Sequence, residues 1–427
     1  MNNAASHAAP FAVAAPAESE FRRGWRILLP SILGCAFCMG TLATISIGPF
    51  VTSLGQDMGW SRTQVQMSLL FGQGFSSLGV IATGVLLEKF GARRVALGGL
   101  LATALGLALT SLAQSIAHFY AIMALTALFG AGAGAITWSH AVTRAFDRNR
   151  GLALAIVLSG AGLAGVFLPS FLAWVIGGHG WRAGYLALAC LPALIAVPAV
   201  YIMFHPHERI GRQVAPASRA ASSAPAAMRG IFARYRFWAL LISIFCTYFA
   251  ISGVMPNFIP ALTDKGFSLE RAAMAQGAFG ASLIVGRLAV GLLVDRFWAP
   301  AVGAMFLAPP ALGCLLLTWQ PGFAAAIVAA ALIGLATGAE LDLLALLTSR
   351  YFEPPLFSRV YSWIYAAAAS AGAVSPMLFS WMQDLTGSYT VSFYVTAVLF
   401  LVGGALLLTM GRYLATEPAG GNDRSRQ

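Results

Sequence analysis

Three strongly charged side chains lie within otherwise apolar stretches of the 427-residue chain, namely Arg287, Glu340 and Asp342. A guanidinium stays protonated and presents a planar set of donors that matches a carboxylate, which makes Arg287 a candidate anchor for an organic anion. A carboxyl group that moves between wet and dry surroundings changes its affinity for a proton, so Glu340 or Asp342 is a candidate proton carrier. The structural alternatives are an ion pair between Arg287 and an acid, and a gating pair of an acid with Arg350 or Arg144.

The spacing of the two acids predicts different surroundings for them. Glu340 and Asp342 are two residues apart, which turns their side chains about 200° from each other around a helix. Glu340 shares its side of the helix with Thr337, whereas Asp342 shares a side with Gly338 and Ser349. We therefore expect that only one of the two acids faces a central cavity.

Long charge-free segments must hold these side chains. No Asp, Glu, Lys or Arg occurs at residues 27–56, 63–87 or 95–143, and about 20 mainly apolar residues suffice to cross a bilayer as a helix. Only 10% of all residues are charged, against roughly 25% in soluble domains. The sequence predicts an all-α integral membrane protein with twelve transmembrane helices, near residues 27–51, 64–87, 95–116, 119–141, 152–176, 185–204, 237–261, 272–294, 301–317, 323–347, 360–382 and 391–410.

The distribution of basic residues predicts the orientation of the chain. Of 26 Lys and Arg, one lies within a span, and Arg62, Arg182, Lys265 and Arg271 lie in loops on one side, which leaves 26 − 1 − 4 = 21 for the other side. Cytoplasmic loops carry such an excess, so we expect a multi-pass protein of the plasma (inner) membrane with both termini cytoplasmic. The net charge of +11 is explained by this excess of basic residues in the cytoplasmic segments of a membrane protein. The expected partner is therefore the lipid bilayer and not nucleic acid.

The chain repeats itself with a constant offset. Gly84, Glu88, Gly165, Pro169, Trp174 and Gly180 each match a similar residue 207 positions later, for instance 376 − 169 = 207. One offset over this length predicts two pseudo-symmetric six-helix bundles of parallel topology. The expected domains are a disordered cytoplasmic tail at residues 1–24, bundles at 25–205 and 237–413, a cytoplasmic linker at 206–236 and a second tail at 414–427.

The three internal charges break this repeat. Shifted back by 207 positions, Arg287, Glu340 and Asp342 correspond to Val80, Ala133 and Ala135. A charge at the centre of a membrane helix costs roughly 2.5 to 3.5 kcal/mol on insertion scales. A costly charge that only one half carries is not required by the fold that the two halves share. The three residues are therefore functional candidates.

A loop between the second and third spans resembles the signature of the major facilitator superfamily. It reads Gly84-Val-Leu-Leu-Glu88-Lys89-Phe-Gly91-Ala-Arg93-Arg94, and a shorter echo runs from Gly291 to Arg296. The resemblance implies alternating access around a central site. An acid at a helix end can pair with an Arg and with a helix N-terminus, and such contacts would close the cytoplasmic side in one state. The expected gating residues are Gly84, Glu88, Lys89, Gly91, Arg93, Arg94, Asp295 and Arg296.

Three further motifs are similar to the monocarboxylate transporter and oxalate/formate exchanger branch of that superfamily. They are residues 59–62 (GWSR), 150–153 (RGLA) and 180–182 (GWR). The resemblance implies a monocarboxylate substrate bound by the helix 8 arginine, whose place Arg287 takes. Animal members pair that arginine with an aspartate where this chain has Leu283, and their helix 1 lysine has no counterpart here. The proton site has therefore moved to helix 10, or it is absent.

Other motifs favour packing over chemistry. Residues 160–165 spell GxGxxG, but no strand precedes them, so the glycines indicate close packing of membrane helices. Cys35 and Cys38 form a CxxC that is more typical of helix packing than of a metal or redox site. Aromatic residues are candidates for an aromatic acid's binding site, although each also fits ordinary packing; they are Trp138, Tyr361, Trp363 and Tyr365.

These observations predict a secondary active transporter that moves a small organic anion, an aliphatic or aromatic monocarboxylate, by alternating access with proton symport. We expect it to act as a monomer, without cofactor, metal or enzymatic activity. One alternative is a proton-coupled exporter or exchanger of drugs or metabolites. The resemblance disfavours an exporter, because the helix 4 arginine that is common in drug exporters of the superfamily aligns with Thr126 of this chain. Another is a membrane enzyme or receptor, for which the sequence offers no nucleophile with a base and no metal-ligand cluster.

Overall fold

The computed structural model describes residues 20–147, 149–205, 231–294, 296–320, 322–411 and 413. These residues form helices and short connections and contain no strand. The predicted linker and the second tail lie largely outside them. The helices are α1 (Glu20–Ala36), α2 (Met39–Met58), α3 (Arg62–Thr110), α4 (Ile116–Gly130), α5 (Ala135–Ala145), α6 (Arg150–Leu158), α7 (Gly160–Leu191), α8 (Val197–Met203), α9 (Tyr235–Asp264), α10 (Leu269–Val294), α11 (Ala299–Thr318), α12 (Phe323–Tyr351), α13 (Pro354–Thr386) and α14 (Thr390–Leu408).

These helices make twelve membrane crossings. In the described part of the chain, nine helical segments are long and apolar enough to span a membrane, counting α1 and α2, which meet at a 41° bend, as one. Two of the nine are 49 and 54 residues long, and the backbone leaves the helical region inside them at Gly91 and Gly180. Each therefore crosses twice, and the more polar α13 adds the twelfth crossing. The predicted twelve-helix membrane fold is confirmed.

We number the crossings as spans 1 to 12. Span 1 is α1 with α2, spans 2 and 3 are the two parts of α3, span 4 is α4 with α5, and spans 5 and 6 run from α6 to α8 with Gly180 between them. Spans 7 to 12 are α9 to α14. We call the side where span 1 begins and span 12 ends the terminal face, and the other side the opposite face.

The internal repeat is visible in the backbone. Gly59 ends span 1 with φ 68°, and Gly266 ends span 7 with φ 88°. The pair Gly180 and Gly387 likewise has φ values of 78° and 72°. Both pairs are 207 residues apart (266 − 59 and 387 − 180). Left-handed backbone is readily adopted by glycine alone, so the same turn chemistry ends equivalent helices in the two pseudo-symmetric bundles.

Spans 5 and 8 join the two bundles through glycines. A methyl group on Gly280 would lie 2.5 Å from the Gly165 carbonyl carbon and 2.6 Å from the Gly162 carbonyl oxygen. Two helix backbones can approach this closely only where side chains are absent. The GxGxxG of residues 160–165 is therefore an inter-bundle packing surface, and the close helix packing that the sequence indicates is present.

Replacing Gly280 with alanine tests this contact. Because the added methyl group cannot fit without separating spans 5 and 8, we expect Gly280→Ala to destabilise the protein by about 1–3 kcal/mol, the usual effect of overpacking. The readout is the melting temperature of the purified protein in detergent. Gly98→Ala on span 3 is the control, since a methyl group there meets nothing within 4 Å. Equal melting temperatures for the two variants would contradict the contact.

Candidate functional site

Arg287 is held against span 10 by two close backbone approaches. A methyl group on Gly338 of span 10 would lie 2.7 Å from the Arg287 backbone nitrogen, and one on Gly286 would lie 2.4 Å from the Leu335 carbonyl oxygen. The two helices therefore touch along their backbones. This contact leaves Arg287 only 7% exposed, with its side chain directed along the span 10 surface that carries the acids.

The guanidinium of Arg287 has an ion-pair partner, but its Nε forms no hydrogen bond. Its Nε lies 3.4 Å from Oδ2 of Asp342, but this Nε forms no hydrogen bond. The Asp342 side chain is 40% exposed, whereas that of Arg287 is 8% exposed. A buried cation thus faces a partly solvated carboxylate through a loose ion pair. The ion-pair alternative of the sequence analysis is present in this conformation.

Glu340 lies on the buried side of the same cluster. It is 7% exposed, its Oε2 has no hydrogen-bond partner, and it is close enough to Arg287 and Asp342 to interact with both electrostatically. The expected difference between the two acids is therefore seen in their exposure. The spacing argument did not anticipate that both would still act on one guanidinium.

The alternative gating pairs are not formed. In the part of the chain that the structure describes, neither acid has an ion pair with Arg350 or Arg144. The Arg350 guanidinium instead lies over the ring of Tyr413, 5.7 Å from its centroid.

Three tyrosines complete the cluster. Tyr361 and Tyr365 of span 11 stack with ring centroids 6.1 Å apart and planes 10° apart. Tyr248 of span 7 is within electrostatic range of both tyrosines, of Glu340 and of Arg287. Spans 7, 8, 10 and 11 therefore bring the predicted residues Arg287, Glu340, Asp342, Tyr361 and Tyr365 together. Tyr248 was not predicted, since it is one of several aromatic residues in an apolar helix, a pattern typical of packing.

Trp138 does not belong to this cluster. It is fully buried, its indole N–H donates to the Ala133 carbonyl at 2.7 Å, and its ring packs edge-on against Phe204. These contacts make it a core residue of the first bundle. The sequence-based assignment of Trp138 to substrate binding does not fit this placement, because the ring has no face left for a ligand.

The CxxC lies at a break in span 1. Helix α1 ends at Ala36 and α2 begins at Met39. The Thr41 hydroxyl donates to the Cys35 carbonyl at 2.8 Å, and the Cys38 thiol donates to the same carbonyl at 3.4 Å. The break is therefore capped by side chains. Cys35 is also within electrostatic range of Arg287, so a discontinuous helix, a frequent feature of transporter binding sites, adjoins the charged cluster.

A cavity of about 160 Å³ lies between the two bundles. Tyr248 lines this cavity and is also near Arg287, so it connects the cavity with the charged cluster. Spans 1, 2, 4, 7 and 11 supply the lining, which is formed by Met39, Gly40, Ala43, Thr44, Ser68, Leu69, Gly72, Gln73, Ser76, Met123, Ala127, Tyr248, Ser252, Ala369, Gly372 and Pro376.

A polar cluster joins the bundles at the opposite face. The Arg62 guanidinium donates to both carboxylate oxygens of Asp264 at 2.6 and 2.7 Å and to the Tyr389 hydroxyl at 3.4 Å. The Thr63 hydroxyl donates to Asp384 at 2.5 Å. We call these five residues the opposite-face latch. It ties span 2 to spans 7 and 11 and to the start of span 12, and the sequence had indicated Arg62 only as part of a motif.

Buried amides continue these inter-bundle contacts below the latch. Gln66 Nε2 donates to Asn257 Oδ1 at 3.3 Å, and Gln276 Nε2 donates to the Ile45 carbonyl at 3.3 Å. Each bond joins one bundle to the other. The opposite half of the molecule is therefore closed by polar contacts as well as by packing.

The residues expected to gate the terminal face make no such connection. Arg93 donates to the Tyr201 carbonyl at 2.5 Å within its own bundle, and Gly91 turns the chain with φ 75°. Gly84, Glu88, Lys89, Arg94 and Arg296 are exposed, and Asp295 lies outside the described residues. The side-chain contacts that the structure shows for these described residues therefore stay within the first bundle, as in the placement of Lys89 over Phe90 and of Arg93 over Tyr201.

Comparison with known proteins identifies the family. The family model described as Major Facilitator Superfamily matches residues 32–322. Monocarboxylate transporter 13 of Bos taurus is 26% identical over 412 residues, which cover 91% of this chain and 90% of that protein. A gallate transporter of Pseudomonas putida is 30% identical over 306 residues, covering 64% and 66%.

The fold has solved counterparts. The inward-facing, unoccupied structure of a bacterial homolog to the human lysosomal transporter Spinster superposes with a TM-score of 0.69 at 16% identity, covering 93% of this chain and 98% of that one. The fold, the family match and the relatives agree with the resemblance found in the sequence. The chain is a transporter that belongs to the Major Facilitator Superfamily.

Proposed function

We propose that this transporter moves a small monocarboxylate together with a proton, and that Arg287 binds the carboxylate. The observation that carries the proposal is a buried guanidinium whose Nε has no hydrogen bond and whose counter-ion is partly solvated. Tyr248, which is within electrostatic range of this guanidinium, lines the cavity between the bundles. The similarity to proteins named monocarboxylate transporters and gallate transporter supports the same substrate class.

The electrostatics of the cluster suggest how substrate and proton are coupled. A buried charge without a partner costs several kcal/mol, so an anion must always face Arg287. An entering carboxylate replaces Asp342 and takes the donors of the guanidinium in a bidentate pair. The region then holds one additional negative charge, which a proton on Asp342 or Glu340 neutralises. One proton per monocarboxylate restores the charge of the empty site.

The two faces suggest how access alternates. The opposite-face latch closes one side, and the exposed signature loops of the terminal face come together only after the bundles rock about the contact between spans 5 and 8. We further propose that the chain acts as a monomer in the plasma membrane, with the terminal face cytoplasmic, as the distribution of basic residues favours. The conformation described here is then open to the cytoplasm.

Removing the positive charge tests substrate binding. In proteoliposomes we expect Arg287→Gln to raise the KM for monocarboxylate uptake about 10- to 100-fold, since a hydrogen-bonded charge is worth about 1.5–3 kcal/mol. Arg287→Lys keeps the charge without the bidentate geometry, so its KM is expected to lie between those of wild type and Arg287→Gln. Arg271→Gln, in the first turn of span 8 at the opposite face, is the control. Unchanged uptake of monocarboxylates by Arg287→Gln would refute the proposal.

The driving force tests proton coupling. A complex of one monocarboxylate and one proton is neutral, so we expect a pH gradient to drive uphill uptake and a potassium diffusion potential to have no effect. Uptake that follows the potential and ignores the pH gradient would contradict electroneutral symport.

Neutral replacements locate the proton carrier. Substitution of the carrier, by Glu340→Gln or Asp342→Asn, should abolish uphill uptake while labelled substrate still exchanges across the membrane. If both variants still accumulate substrate from a pH gradient, neither acid carries the proton.

Breaking the latch tests alternating access. We expect Arg62→Ala and Asp264→Ala to open the opposite face more often and to speed labelling of a cysteine placed at the buried Ser68 by an impermeant maleimide from that face, in a background without other cysteines. The exchanged pair Arg62→Asp with Asp264→Arg should restore slow labelling. Arg182→Ala is the matched control, because it breaks an equivalent pair with Asp57 at 2.8 Å inside one bundle. Faster labelling in the Arg182→Ala control, or an unchanged labelling rate in the latch variants, would contradict the role of the latch in closing the opposite face.

A further inference from the structure

Four polar side chains in the cavity between the bundles have no partner within the described protein. They are Gln73 and Ser76 of span 2, and Tyr248 and Ser252 of span 7. By contrast, the other two hydroxyl groups of the lining are bonded to carbonyls of their own helices, Thr44 to Gly40 at 2.9 Å and Ser68 to Val65 at 2.7 Å. The free groups come in helical pairs, three and four residues apart, so each pair shares one face.

The two pairs belong to different bundles. Gln73 and Ser76 lie in the first, whereas Tyr248 and Ser252 lie in the second, which also carries Arg287. A carboxylate bound at Arg287 is therefore held by a charge of the second bundle. A ligand that also carries hydrogen-bonding groups at its other end reaches Gln73 and Ser76, and it then connects the two bundles.

Closure of the cavity gives these groups their selectivity. While the terminal face is open, water satisfies the four side chains. When the bundles close, that water is lost, and buried polar groups without partners oppose closure. A ligand with hydroxyl groups replaces the water, whereas an unsubstituted apolar ligand does not. Sites built to bond a ligand hydroxyl strongly reject analogues that lack it.

The cavity also limits the size of the ligand. Its volume of about 160 Å³ is close to the roughly 150 Å³ of an engineered cavity that holds one benzene molecule. A single ring, or an aliphatic chain of similar volume, fills it.

We propose, on the basis of the proposed function, that the substrate is a hydroxylated monocarboxylate with a body about the size of one benzene ring, and that Gln73, Ser76, Tyr248 and Ser252 select it. The carboxylate binds Arg287 in the second bundle, and the distal hydroxyl groups bind Gln73 and Ser76 in the first. Binding of the carboxylate and closure of the cavity are thereby separate steps. An acid without hydroxyl groups binds, but it closes the cavity poorly and is carried slowly.

A matched pair of acids tests this selection. We expect purified wild-type protein to bind benzoate and 3,4-dihydroxybenzoate, and to transport the dihydroxy acid in proteoliposomes with a maximal rate at least about tenfold higher. The double variant Gln73→Leu with Ser76→Ala should lose the preference and carry the two acids at similar rates, with benzoate carried at least as fast as by wild type because fewer unpartnered polar groups are buried on closure. Its melting temperature in detergent shows whether the fold is intact. Ser77→Ala is the control, since this neighbouring hydroxyl is bonded to the Gln73 carbonyl at 2.9 Å and does not line the cavity.

The possible outcomes separate this inference from the function on which it rests. Equal maximal rates for the two acids in wild type, or an unchanged preference in the double variant, overturn the role of the four side chains while Arg287-dependent uptake still stands. If neither acid binds wild-type protein, or if Arg287→Gln binds both as wild type does, the carboxylate proposal itself is overturned. Loss of the preference in the double variant alone, with benzoate transport retained, is the result that supports the inference.

Discussion

A buried positive charge must always be matched by a negative one, and this requirement organises the second bundle. Arg287 lies where glycines bring spans 8 and 10 into backbone contact, and its side chain is 8% exposed. Its available counter-ions are Asp342, which is partly solvated, and Glu340, which is buried. The pair with Asp342 is long and lacks a hydrogen bond at Nε. A carboxylate that pairs with a guanidinium in bidentate geometry forms shorter and stronger hydrogen bonds than this pair does.

The contacts between the two bundles differ between the two faces of the molecule. Polar bonds such as that between Arg62 and Asp264 close the opposite half, while Arg93, an expected gating residue of the terminal face, bonds within its own bundle. The glycine contact of spans 5 and 8 lies between the two halves. In the proposed mechanism, rocking about this contact exchanges one set of closing contacts for the other around the proposed ligand site at Arg287.

Much of this architecture is predictable from composition and spacing. Charge-free segments longer than a bilayer crossing leave few alternatives to membrane helices, and a constant offset of 207 residues reveals the duplication. The charges in the second bundle stand out because a buried charge is expensive and their counterparts in the first bundle are apolar. The same reasoning places Arg287 beside the acids, although it does not say which acid touches it.

The placement of the other site residues depends on which face of a helix is turned toward the centre of the molecule. The sequence of an apolar helix does not indicate which face that is. Trp138 and Tyr248 look alike in the sequence, since each is one of several aromatic residues in a largely apolar span. The structure buries Trp138 in a bundle core and places Tyr248 at the central cavity. The Arg62–Asp264 pair was also missed, because its members are 202 residues apart and belong to different bundles.

The most direct test of the carboxylate site is an experimental structure of the transporter with a bound monocarboxylate. The account predicts both carboxylate oxygens at about 2.8 Å from the Arg287 guanidinium, the usual length of a charge-assisted bond, with Asp342 displaced from it. A carboxylate bound elsewhere, while Arg287 and Asp342 remain paired, would contradict it.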